Sequence, residues 1–103
     1  MTKLVVNTGG CGYTIDIRVE KAAAGQYSLT VETGCEHVKA LAGDLPVLKE
    51  MDVFIPILQN PVYQAAARRV KHSACPIPSA ILKTLEVEAG FNVARDVTFT
   101  FER

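Results

Sequence analysis

Residues 13–31 read YTIDIRVEKAAAGQYSLTV, and this stretch decides the fold. Apolar and polar side chains alternate over residues 13–20, and the alternation returns over residues 27–32. A period of two residues is typical of a strand that buries one face and exposes the other. The connecting residues 21–26 contain Gly25, which favours a tight turn. The stretch therefore predicts an antiparallel hairpin with one buried face.

Two stretches outside the hairpin also predict strands. Residues 3–7 are short and mostly apolar, and a glycine-rich turn at residues 8–12 joins them to the hairpin. Residues 97–102 alternate again, with apolar side chains at Val97, Phe99 and Phe101. The sequence therefore predicts a first strand before the hairpin and a closing strand at the C-terminal end.

Helices are predicted between the third and the last strand. Thr33 and Glu36 fit a capping box, and Pro46 would close the helix that it begins. The apolar stripe of this helix consists of Val38, Leu41, Ala42 and Leu45. Residues 47–59 are apolar but irregular, and Pro56 interrupts them, so this segment predicts a short helix and a loop.

Two later helices begin at prolines. Asn60 and Pro61 fit an N-cap followed by proline at the first helical position. Four basic residues would stabilise the negative C-terminal end of this helix: Arg68, Arg69, Lys71 and His72. The sequence Cys75-Pro76-Ile77-Pro78 begins the last helix, and Gly90 would end it.

The predicted elements follow the order βββα(α)ααβ. Helices grouped between strands indicate an α+β two-layer sandwich, with about four mostly antiparallel strands and three or four helices on one face. Residues 1–103 form a single domain in this interpretation. Because 49% of the residues are hydrophobic, the chain can bury a substantial core.

Charge and hydropathy exclude several classes of partner. Lysine and arginine number 11, aspartate and glutamate also number 11, and no long basic run is present. A nucleic-acid or anionic-membrane partner is therefore not expected. No apolar run reaches the roughly 20 residues of a membrane span. The first residues lack the pattern of a signal peptide, so a cytoplasmic location is expected.

Three cysteines carry the clearest chemical signal. Cys11, Cys35 and Cys75 are an odd number, and their spacing contains no CxxC pair. Any shared site must therefore be assembled by the fold. Cys11 lies between two glycines, Cys35 in a predicted first helical turn, and Cys75 at a helix start. Backbone N–H groups at such positions lower a thiol pKa and favour the thiolate.

Three functions remain open at this point. In the leading hypothesis Cys11, Cys35 and Cys75 bind zinc or an iron–sulfur cluster, with His37 or His72 as a candidate fourth ligand. In the second, Cys75 is the catalytic residue of a sulfur carrier or transferase, with Lys71 and His72 as nearby cations.

The third hypothesis is an interaction module whose cysteines are only structural. The apolar residues 53–58 exceed what a short loop can bury, which favours a homodimer. The sequence identifies no other protein partner. No Ser-His-Asp order or HExxH helix is present, so enzymatic activity remains an open question.

Two resemblances extend these hypotheses. Cys75-Pro76-Ile77-Pro78 with Lys83 is similar to the CPxP motif of small bacterial sulfur-carrier proteins, which implies a persulfide on Cys75. Nearly the whole chain resembles a family of small uncharacterised proteins found mainly in anaerobes. The residues that carry this second resemblance lie at 9–13, 35–36, 60–63, 71–78 and 85–90. It implies a one-domain protein from a reducing setting.

Overall fold

Four antiparallel strands form a sheet with three helices over it in the computed structural model, which describes residues 1–103. The strands are β1 Thr2–Asn7, β2 Thr14–Ala23, β3 Gln26–Glu32 and β4 Val47–Lys49, and they lie side by side in that order. The helices are α1 Glu36–Gly43, α2 Pro61–Arg69 and α3 Ile77–Glu88. Short 3-10 helices occupy Gly9–Cys11, Glu50–Phe54 and Ile57–Gln59. The α+β class predicted from the sequence is confirmed.

The central hairpin has the predicted period. Ile15, Ile17 and Val19 of β2 are at most 1% exposed and face the helices, whereas their neighbours along the strand point the other way. Strand β3 continues this buried layer, because Leu29 lies opposite Val19. The inward-facing residues of β1 are only half-buried, since this strand is at an edge of the sheet.

Helix α3 packs across β1 and β2. Its core residues Ile77, Ile81 and Leu85 are fully buried. The helix ends in a Schellman motif, in which Gly90 has a φ of 84° and donates its N–H to Val87 at 3.1 Å. Phe91 completes the motif by donating to Glu86 at 2.9 Å.

The last turn of α3 is tied to the start of β1. Thr2 donates its hydroxyl to Glu88 at 2.6 Å, and the N-terminal ammonium group lies 3.4 Å from the same carboxylate. The hydrogen bond from Thr2 is the main reason that the pKa of Glu88 lies below its usual range. These contacts offset the unfavourable position of an acidic side chain at a helix C-terminus. No helix in the structure is both long and apolar enough to cross a bilayer.

Asn60 organises the segment that precedes α2. Its Oδ1 accepts from Val62 N–H at 3.0 Å, which caps the helix as the sequence predicts. Its Nδ2 donates to the carbonyls of Asp52 at 2.7 Å and Ile55 at 3.1 Å. Asn60 is 2% exposed, so water is largely excluded from these bonds. One buried side chain thus joins the 3-10 helix Glu50–Phe54 to α2.

The predicted closing strand at residues 97–102 is wrong. This segment has no secondary structure, and Phe99 and Phe101 are 84% and 94% exposed. The fourth strand is instead β4, within the segment for which a short helix and a loop were expected. Alternating apolar residues show which side chains of a strand would share a face. They do not show whether a neighbouring strand is available for hydrogen bonding, and residues 97–102 have none within the chain.

Two helix boundaries also differ from the sequence prediction. Cys35 is the N-cap of α1, and Thr33 lies outside the helix, where its Oγ1 accepts from Cys35 N–H at 3.0 Å. This local bond replaces the expected capping box. Helix α2 ends at Arg69, so Lys71 and His72 lie beyond it. The predicted role of these two residues at the helix end is therefore wrong.

We expect Asn60→Ala to reduce the free energy of unfolding by about 2–4 kcal/mol. The substitution removes the helix cap and leaves two carbonyls without their donor. Urea unfolding would measure this loss, with exposed Gln59→Ala as the control that stays within about 0.5 kcal/mol of the parent. Equal midpoints for the two variants would contradict this assignment.

Candidate functional site

The topology brings the three cysteines to one end of the sheet. Cys11 lies in the connection between β1 and β2, and Cys35 comes three residues after Glu32, the last residue of β3. Asn7 pairs with Thr14, so the end of β1 and the start of β2 lie together, and Asp16 pairs with Glu32 at the end of β3. Because α3 runs back toward Thr2, its first residues and Cys75 lie at the opposite end, with the other two thiols.

A packing contact connects the Cys11 turn to the Cys35 segment. The ring of Tyr13 lies against Gly34, where an added β-carbon would be 3.4 Å from Tyr13 Cε1. Cys11 itself is exposed on a 3-10 turn flanked by Gly9 and Gly12, which both have positive φ. The turn is therefore held beside Cys35, while the Cys11 side chain remains open to solvent.

Cys35 is half-buried against the hydrophobic core and holds the start of α1. Its N–H donates to Thr33 and its carbonyl accepts from Lys39 at 3.0 Å. The bond to the Thr33 hydroxyl and the bond from the Lys39 backbone N–H, together with packing on the core, hold Cys35 in place.

Cys75 is also half-buried against the core, directly before α3. Its N–H donates to the His72 carbonyl at 3.1 Å, and Ile77 N–H donates to its sulfur. Pro76 and Pro78 have no N–H to offer, so Ile77 supplies the donor in this part of the helix start.

Burial raises the pKa of the Cys75 thiol above its ordinary value of 9.0. The hydrogen bond from Ile77 acts in the opposite direction and is outweighed, and the charges of the Cys35 and Cys11 thiolates raise the pKa further. For Cys75, the predicted lowering of the pKa at a helix start is therefore wrong. The same interactions indicate that the Cys35 and Cys11 sulfurs lie near enough to Cys75 for their charges to act on it.

A groove of about 300 Å³ runs between α2 and the start of α3 and includes Cys75. Tyr63, Lys71 and His72 line it beside the thiol. Neither of the two basic residues contributes to the shifted pKa of Cys75, so the expected stabilisation of a thiolate by Lys71 and His72 is not found. A second cavity, at the β2–β3 turn, is lined by no cysteine or histidine.

Tyr63 is the groove residue that the sequence reasoning missed as part of a site. Its helical spacing to Ala66 and Ala67 places them on adjoining parts of α2, Val70 follows directly after the helix, and all four line the groove. That spacing was available in the sequence, but it indicated only the apolar stripe of a helix.

The two candidate histidine ligands lie on different elements. His37 is exposed in the first turn of α1, close in sequence to Cys35. His72 is exposed at the rim of the groove and contacts Cys75 through its carbonyl. No group of three or more His, Cys, Asp or Glu side chains has the arrangement of a metal centre. The three thiols lie at one end of the sheet without forming a preassembled coordination site, so the predicted metal centre is not supported by this arrangement.

These features define a small α+β protein with three free cysteines near one end of its sheet. The chain belongs to the family of unknown function DUF6951, whose model matches residues 2–101. This membership agrees with the resemblance to a family of small uncharacterised proteins. A search of curated proteins and a search of solved structures each found no match.

We expect Cys75 to react slowly with iodoacetamide at pH 7 and faster as the pH rises through and above 9.0, because only the thiolate reacts. Cys35→Ser removes one repelling thiolate and should shift this profile to lower pH. Mass spectrometry of the peptide that contains Cys75 would measure the rate. A wild-type midpoint well below 9.0 would show that the helix start dominates after all.

Proposed function

We propose that Cys11, Cys35 and Cys75 act together to capture a thiophilic metal ion. The observation that carries this proposal is the placement of the three cysteines at one end of the sheet, where burial and then the charges of the Cys35 and Cys11 thiolates raise the pKa of Cys75. A bound cation relieves the repulsion between these charges, because it supplies the positive charge that the surrounding side chains do not. Thiolates are the preferred ligands of zinc, copper(I) and iron–sulfur clusters.

The arrangement of the thiols supports capture at an open site. Cys11 is exposed on a short turn, so its side chain has room to reorient toward the other two sulfurs. Three thiolates leave a further coordination position, for which His72 and water are candidates. Free thiols persist in a reducing cytoplasm, which is the location that we assign to this function.

A second candidate function is sulfur transfer by Cys75 alone. The groove beside Cys75 and the hydrogen bond from Ile77 to its sulfur favour this alternative. In that reaction the Cys75 thiolate attacks the outer sulfur of a persulfide donor. The donor S–S bond breaks, a persulfide forms on Cys75, and the donor leaves as a thiol. The raised pKa of Cys75 makes this attack slow near neutral pH.

Anaerobic titration of the full chain with Co²⁺ would test metal capture. We expect thiolate-to-cobalt absorption that saturates at one ion per chain, and tighter binding at higher pH because the ion displaces thiol protons. The single variants are Cys11→Ser, Cys35→Ser and Cys75→Ser. Each should weaken cobalt binding by more than about 10- to 100-fold, which is the typical loss when a residue that hydrogen-bonds a metal ligand is removed. Gln26→Ala, an exposed residue at the opposite end of the sheet, is the matched control and should bind normally.

The same variants separate the two functions. Incubation with a persulfide donor, followed by mass spectrometry, would locate any added sulfur. Two results together would overturn metal capture in favour of sulfur transfer. The parent protein would bind no cobalt, and Cys75 would still gain sulfur in the Cys11→Ser and Cys35→Ser variants. Neither cobalt binding nor added sulfur would contradict both functions.

A further inference from the structure

The C-terminal segment has the pattern of a strand without the partner that a strand needs. From Asp96 to Arg103 the backbone makes no hydrogen bond within the chain. Val97, Phe99 and Phe101 share one face of this segment if it is extended, and they are 62%, 84% and 94% exposed. A monomer rarely leaves such a regular apolar row in water.

Strand β1 presents the complementary feature, an open edge. It pairs with β2 on one side only, and its six residues carry a single charged side chain, Lys3. The opposite edge of the sheet, β4, has only three residues. On the helix-facing side of β1, Leu4 and Val6 are half-buried, whereas their neighbours on β2 are fully buried. A further strand beside β1 would complete the burial of this layer.

We propose that residues 97–102 of one copy of this chain pair with β1 of a second copy, and that the exchange is reciprocal. The segment and β1 are the same length, six residues. The exchanged segment becomes a fifth, antiparallel strand, and the two copies form a symmetric dimer. In this dimer the open edge of β1 and the exposed apolar side chains of residues 97–102 cover one another. Either feature, left exposed in a monomer, would favour aggregation.

The direction of the chain favours a second copy over the segment's own β1. Glu88 contacts Thr2, so the chain leaves α3 beside the start of β1. Phe91 is held against Phe54, with ring centroids 4.9 Å apart. The six steps from Phe91 to Val97 span at most about 20–22 Å when fully extended. The chain would use all of this to pass the roughly 20 Å length of its own β1, which leaves no residue for the turn that an antiparallel return requires.

Charge complementarity selects a register. Lys3 lies directly opposite Arg18 of β2 and pairs with Asp16 of the same strand at 3.5 Å, so its carboxylate partner is on the β2 side and its other side is open. With Glu102 opposite Lys3, a carboxylate occupies the open side of that lysine. The same register aligns Phe101 with Leu4, and two residues further along it aligns Phe99 with Val6.

The area buried is adequate for a specific dimer. A symmetric exchange covers four phenylalanine side chains, and a buried aromatic side chain removes about 150–250 Å² from water. With Val97 and the strand backbone of both copies, the interface reaches the lower part of the 1,200–2,000 Å² range of stable complexes.

Sedimentation velocity on the full chain at micromolar concentration would measure the oligomeric state. We expect a dimer for the parent protein and a folded monomer for the double variant Phe99→Asp with Phe101→Asp, since these two side chains are 84% and 94% exposed in the single copy. The double variant Ile57→Ser with Leu58→Ser is the matched control in the exposed apolar segment around Pro56, and it should remain dimeric. A monomeric parent, or a dimer that only the control variant dissociates, would overturn strand exchange.

The pair of Lys3 and Glu102 tests the register. We expect Lys3→Glu or Glu102→Lys to weaken the dimer by about 2- to 30-fold, because the pair occurs twice in a symmetric dimer. The two changes combined restore the opposite charges and should recover most of the affinity. Additive losses in the combined variant would contradict this register.

Cross-linking distinguishes exchange between copies from a fold-back within one copy. In a background with the native cysteines changed to serine, Val5→Cys on one chain and Thr100→Cys on another lie opposite each other in the proposed register. Mixing and oxidising the two proteins should give a covalent heterodimer, and Val5→Cys mixed with Thr98→Cys should give much less. A single chain carrying both Val5→Cys and Thr100→Cys that closes only on itself would overturn the proposal.

Discussion

The packing of α3 across β1 and β2 is the interaction on which the other features depend. Ile77, Ile81 and Leu85 are fully buried in this contact, and each such aliphatic side chain contributes about 1.5–3 kcal/mol. The helix start is limited to a narrow range of residues because proline is tolerated only in a first turn. Cys75, directly before this helix, therefore lies at the same end of the sheet as Cys11 in the β1–β2 connection and Cys35 after β3. The opposite end of α3 releases the C-terminal segment beside the start of β1.

The electrostatics at the thiol end differ from those of an activated nucleophile. A catalytic cysteine near neutral pH needs donors or cations that outweigh burial. Here burial outweighs the single backbone donor, and neighbouring thiolates add to it. Thiols that lie together but have no donor or cation to lower their pKa are better suited to binding a soft cation than to attacking a substrate. The cation itself supplies the positive charge that stabilises the thiolates. The proposed metal capture would depend on pH, because protons compete with the ion for the thiolates.

The sequence predicted secondary structure well where neighbouring residues alone determine it, as in an alternating strand or a capped helix start. Alternation defined β2 and β3, and Asn60 with Pro61 defined the start of α2. The same alternation failed at residues 97–102, because pairing depends on where the chain goes after α3. β4 was missed because it is three residues long, too short to display a period.

The candidate site could be predicted only in part. The identity of the cysteines was evident from the sequence, but their closeness depends on the topology of the sheet and the direction of α3, which spacing does not report. The sign of the Cys75 pKa shift was wrong because a helix start was weighed without the burial that comes with packing on the core. The pairing of Glu88 with the N-terminus was likewise invisible, since it joins residues 86 positions apart.

The most direct test of this account measures whether the thiols are neighbours in the folded chain. A short bifunctional maleimide, applied to the Cys11→Ser variant under native conditions, should bridge Cys35 and Cys75 within one chain, as mass spectrometry of the digested protein would show. The bridge should largely disappear in guanidinium chloride, where the fold no longer holds the two segments together. Separate single adducts on Cys35 and Cys75 in the native protein, with no bridge, would contradict the convergence of the thiols.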